Sequence, residues 1–168
     1  MPIAGAIVWI IVGLVGLYLP FKTAILVLVF GTGAILPIAL IVSKLRNEEL
    51  LSSSNPLSKL IGACVFMVNL LWGLHIPLLI HAPQFVPLSL GIGLGLHWVV
   101  YSWIIRHPIG YIHAALRTVG LVLAWFVFPT YLIPASALAV VVSYCVSIFV
   151  MASRQIPDRS RLPLAAAG

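Results

Sequence analysis

Apolar residues run along this chain in six blocks, 3–19, 23–43, 60–80, 84–105, 109–128 and 130–152, divided by turn formers and isolated charges. At about 1.5 Å per residue, blocks of about 20 residues match the hydrocarbon core of a bilayer, about 30 Å thick. The pattern predicts an all-α membrane protein: a polytopic bundle of about six transmembrane helices forming one domain over 1–152, followed by a short basic tail over 153–168. Only Arg106, His107 and Pro108 separate the fourth block from the fifth, which predicts a tight helical hairpin. Proline and glycine crowd the stretch from Pro77 to Gly95, so five spans with one re-entrant element is the alternative. Pro37 and Pro77 lie inside blocks and predict kinks. The longest linker, KLRNEELLSSSNPLSK, offers Asn55 as an N-cap and Pro56 as the first helical residue. NPLSKLIGA and HPIGYIHAA echo each other, an echo that the local preference for proline at helix starts accounts for.

Composition agrees with the pattern. A 62% hydrophobic share and three acidic residues exclude a soluble domain, in which about a quarter of residues are charged. The net charge of +6 does not indicate nucleic acid, because the basic residues stand singly at block ends, where they act as topology signals. Lys44, Arg46, Lys59, Arg106, Arg154, Arg159 and Arg161 fall on one side and Lys22 alone on the other, which puts both termini in the cytoplasm. The first block lacks a basic leader and a small-residue cleavage site, so it is expected to stay as an uncleaved span. Cys64 and Cys145 sit inside blocks without metal-like spacing and are expected to be packing residues. Gly91 and Gly95 have small-x-x-x-small spacing and predict a close helix contact, within the chain or with a second copy in a homo-oligomer.

The polar chemistry gathers in HWVVYSWIIRHPIGYIHAALRT, His97 to Thr118. His97 and Tyr101 share one helix face, as do His113 and Arg117, and across a hairpin the two histidines lie within about 6 Å of the same depth. Arg117 stands about 12 Å inside its helix. An arginine at such depth costs at least about 2.5 kcal/mol, and no block contains an Asp or Glu to pair with it. The ordinary solution is snorkelling to the headgroups. The others are an internal network with Tyr, His and Asn69, or an anion from outside the chain. Trp98, Trp103 and Tyr111 suit an interfacial belt. His75 and His97 differ in depth by roughly 10 Å and cannot readily share a metal, and nothing completes a first shell around His97 and His113, so neither metal nor cofactor is expected. Ser102, Ser136 and Ser143 have no acidic orienter and G-x-S-x-G is absent, so no enzyme activity is indicated.

FGTGAILPIALIVSKL, then NPL opening the next block, then GLGLHWVVYSWIIRHPIGYIHAALRT and a later AWFVFP together resemble an uncharacterised family of small bacterial multi-pass membrane proteins. The resemblance spans nearly the whole chain and implies a helical bundle in the bacterial inner membrane, without an activity. The residues themselves favour a small carrier or binder of an amphiphile or small anionic solute, with Arg117 holding the anion, His97 and His113 hydrogen-bonding or relaying protons, Tyr101 orienting them and Asn69 lining the path. The rivals are a non-transporting scaffold in the lipid bilayer, whose polar cluster anchors helices, and a membrane-embedded enzyme.

Overall fold

The computed structural model describes residues 2–45 and 56–153, which form eight α-helices. These are α1 (Pro2–Tyr18), α2 (Phe21–Gly33), α3 (Ile35–Leu45), α4 (Pro56–Leu70), α5 (Trp72–His81), α6 (Val86–Ile105), α7 (Ile109–Val127) and α8 (Leu132–Ala152). One-turn 3₁₀ segments at Pro83–Phe85 and Pro129–Tyr131 lead into α6 and α8, and the described residues contain no strand. Five stretches are long and apolar enough to cross a membrane: Phe21–Ile38, Gly62–His81, Pro83–Ile105, Ile109–Val127 and Pro129–Ala152. The first block is a shorter apolar helix of 17 residues, at the lower limit of about 17 for a span. Asn55, the charged linker before it and the tail from Arg154 onward lie outside the described residues.

Prolines set several boundaries. Pro20 precedes α2, Pro56 opens α4 and Pro108 precedes α7, places where a missing N–H costs nothing. Pro37 does more than kink its block. Its ring leaves the Gly33 carbonyl without an i+4 donor, and the block divides there into α2 and α3. The Thr32 hydroxyl, bonded back to Leu28 O at 2.6 Å, adds to the distortion. In the third block Pro77 stays inside α5 and the interruption falls at Leu71, whose N–H bonds Val68 O three residues back. The region suspected of re-entry is instead a short turn followed by an unbroken α6 of 20 residues.

Glycines set the helix pairs. A Cβ on Gly5, Gly13 or Gly16 of α1 would strike Tyr144, Ala137 or Ile133 of α8, so the two helices run antiparallel at close approach. On α6, a Cβ at Gly91 would lie 2.5 Å from Leu121 and one at Gly95 3.1 Å from Arg117. The Gly91–Gly95 face thus packs against α7 of the same chain. Gly110 meets the Trp98 carbonyl where the hairpin closes. α2 adds Ala24, Ile25 and Leu28 to a core that includes Trp9, Val12, Leu90, Leu121 and Val140. At the far end of the hairpin, Trp125 stacks on Phe85 and its indole N–H donates to Gln84 O at 3.2 Å. The α4–α5 unit lies at the margin, with His75 the only buried residue of α5 and Phe66, Leu70 and Ile80 facing outward.

Candidate functional site

α6, α7, α8 and α1 enclose a polar cluster at mid-depth. Arg117 is the ninth of the 19 residues of α7, about 12 Å from its start. It is fully buried at 0% exposure, so it does not snorkel. Gly95 explains why: without a side chain there, α6 lies against the stem of Arg117 and holds it inside. The guanidinium carbon sits 5.1 Å from the Trp9 ring centre and 5.8 Å from that of Tyr144. Its Nε, Nη1 and Nη2 make no well-formed hydrogen bond, and the Tyr144 hydroxyl is the neighbouring group that interacts with the guanidinium. The described residues include no Asp or Glu.

His113, one turn nearer the hairpin, is also fully buried. Its Nδ1 lies 2.8 Å from Ser147 Oγ and 3.1 Å from Ser143 O. The Ser147 hydroxyl donates to Ser143 O at 2.9 Å, so its oxygen accepts from the ring, and Nδ1 carries the proton. Nε2 is then an acceptor, buried and unpartnered. Trp98 stacks on His113 with ring centres 3.9 Å apart, and Tyr144 meets the same ring edge-on at 5.0 Å. The indole N–H groups of Trp9 and Trp98 are buried and unpartnered too. The cluster is rich in free donors and holds one free acceptor.

Of the residues expected at a site, Arg117 and His113 come together. His97 is half-buried beside Trp98, within electrostatic range of Arg117, but it is Trp98 and not His97 that lies on His113. Trp98 therefore leaves the expected interfacial belt, whereas Trp103 and Tyr111 are exposed. Tyr101 is half-buried on the flank, its ring against Trp98 and its hydroxyl 3.7 Å from Met151 Sδ. Asn69 is not part of the cluster: it is exposed and donates to Val65 O of its own helix at 2.8 Å. Trp9, Tyr144, Ser143 and Ser147 are members that residue-by-residue reading passes over. Their signal is spacing, since Ser136, Ser143, Tyr144 and Ser147 recur on one face of α8, and polar side chains in a span face the bundle interior.

The model of one family, described as a family of unknown function (DUF7010), matches residues 1–154, and the chain belongs to that family. No curated protein and no solved structure matches.

Proposed function

We propose that this DUF7010 protein binds a small anionic group at the bundle centre, as a carrier or binder of an amphiphile or small anionic solute, with Arg117 as the anion's principal partner. The observation that carries the reading is a guanidinium at 0% exposure whose three nitrogens make no well-formed hydrogen bond. Mild insertion costs of about 2.5–3.5 kcal/mol include the relief of reaching water, which Arg117 lacks. Two aromatic faces return about 2 kcal/mol or somewhat more each when desolvated, while the effective penalty for a buried ion is several kcal/mol and every unmade hydrogen bond adds about 1–3. An anion accepting from Arg117 would close that gap, and the indole N–H groups of Trp9 and Trp98 supply further donors. A carboxylate or phosphate oxygen pair fits the fork of the guanidinium. In this reading both chain ends and the α6–α7 hairpin face the cytoplasm of a bacterial inner membrane.

The rings over Arg117 favour a second reading, a scaffold in which the cation–π contacts themselves fasten α1, α7 and α8. Arg117→Met separates the two. An anion binder freed of its unpaired charge melts at or above the ligand-free wild type, by up to about 1–4 kcal/mol, and loses a molecule that native mass spectrometry detects on gently purified wild type. A lower melting point with no molecule lost would establish the scaffold instead. A cysteine at Gln84 should react with an impermeant thiol reagent in intact cells while one at His107 is protected; the reverse would overturn the orientation.

A further inference from the structure

The hairpin between α6 and α7 carries a second, separate collection of donors. Arg106 closes α6 at φ 50°, the only non-glycine residue with positive φ among the described residues. The His107 N–H returns to Ser102 O at 3.1 Å and the Arg106 N–H to Trp103 O at 3.3 Å. This left-handed helix end is the place where glycine is preferred, and another side chain there costs about 1 kcal/mol. The chain has an arginine at a position whose backbone asks for glycine, a conflict of the kind found at functional sites.

The surrounding hydrogen bonds are already committed. The Ser102 hydroxyl donates to His107 O and accepts from the N–H groups of Gly110 at 3.1 Å and Tyr111 at 3.4 Å. The Ile109 N–H donates to His107 Nδ1 at 3.2 Å, which puts the ring proton on Nε2. The start of α7 therefore has few N–H groups left for an anion. What remains is side chains: a pocket of about 520 Å³ is lined by Ser102, Trp103, Arg106, His107 and Tyr111, with no acidic residue. Trp103 and Tyr111 are 65% and 53% exposed. Exposed Trp and Tyr at the ends of spanning helices lie at headgroup depth.

We propose that this pocket holds the phosphate of an anionic phospholipid headgroup, with Arg106 and the His107 Nε2–H as its donors and Trp103 and Tyr111 flanking it in the interfacial layer. The site is independent of Arg117 and stands whether or not the bundle centre binds an anion. The aromatic flanks and the interfacial position select a lipid over free phosphate.

Arg106→Gly is the test, because it relieves the backbone while removing the charge. Native mass spectrometry of the full chain in mixed micelles of phosphatidylglycerol and phosphatidylcholine reads lipid retention. Wild type should retain phosphatidylglycerol preferentially by about tenfold or more, and Arg106→Gly should approach parity with an unchanged or higher melting temperature. His107→Gln should lose part of the preference, about two- to fivefold, and serves as the reading if Arg106→Gly does not fold. Undiminished phosphatidylglycerol preference in Arg106→Gly, or in His107→Gln where the glycine variant fails, would overturn the proposal. So would displacement of the lipid by millimolar inorganic phosphate, which would make the site one for the free ion.

Discussion

His75 and His113 are almost equally buried, at 3% and 0% exposure, yet they occupy opposite kinds of surroundings. His75, on the marginal α5, has Ser89 Oγ at 3.2 Å from Nδ1 and the edge of Trp72 beside it, within a groove of about 310 Å³ whose other walls include Leu71, Leu78 and Ile92. His113 has two partners on α8, a stacked indole, and an unpartnered arginine one turn away on its own helix. Burial alone therefore does not mark a site in this molecule. The difference comes from what meets α6 on each side: a Cβ at Gly95 would press on the Arg117 stem of α7, whereas one at Gly93 would meet the Leu71 side chain at 2.7 Å and the His75 ring at 3.6 Å, and one at Gly73 on the outer side of α5 nothing within 4 Å.

That contrast can be broken most severely at the hairpin. Gly110→Val would drive a side chain into the Trp98 carbonyl, and because backbone cannot yield as a side chain can, a loss of about 3 kcal/mol or more is expected, read as a collapsed thermal transition in detergent. A well-folded Gly110→Val protein would mean that α6 and α7 are not in this register. Next in size, leucine placed at Gly91 should cost about 1–3 kcal/mol by overpacking Leu121, while leucine at Gly73 should stay within about 0.5 kcal/mol of wild type. Equal melting temperatures for the two variants would erase the distinction between centre and margin.

Smaller effects sharpen the comparison of the histidines. His113→Leu removes two contacts to α8 and should cost about 1–2 kcal/mol, near the upper end for hydrogen bonds inside membranes, whereas His75→Leu should cost about 0.6 kcal/mol or less. Finest of all is coupling: a double-mutant cycle of His113→Ala with Arg117→Gln should show about 0.5 kcal/mol or more of interaction, and the same cycle with His75→Ala should be additive within about 0.3. Coupling of the same size in both cycles would mean that Arg117 responds to general loosening and not to the cluster.

Much of the fold is legible in the residues, because lipid imposes a simple rule on apolar block length, and Arg106-His107-Pro108 is too short to be anything but a turn. The division at Ala34 is not, since Pro37 inside a block predicts only a kink, and whether the helix bends or restarts depends on what packs around it. In the site, Arg117 and His113 can be found from their depth. Arg117 departs from snorkelling because the residue opposite it is Gly95, a fact about the neighbouring helix. Trp98 is the instructive miss: continuing the Gly91–Gly95 stripe at helical spacing reaches Trp98 and then Ser102, both buried, and passes His97 by. Asn69 misleads for a different reason, because an amide in a span can satisfy itself on its own helix and need not turn inward.

The pairing of α1 with α8 joins the earliest described helix to the latest, and this sets an order in time. Trp9 is made first, Arg117 much later, and Tyr144 another 27 residues after that. At about 5–20 residues per second, Arg117 exists for roughly 1–5 s before the residue that forms its second aromatic wall is synthesised. During that interval the arginine and His113 face lipid, the translocation machinery or the bilayer surface without their enclosure. The central cluster therefore closes only once α8 has been made and packs against α1 and α7, and chains halted before Tyr144 should be far more prone to degradation than chains halted after Ser147.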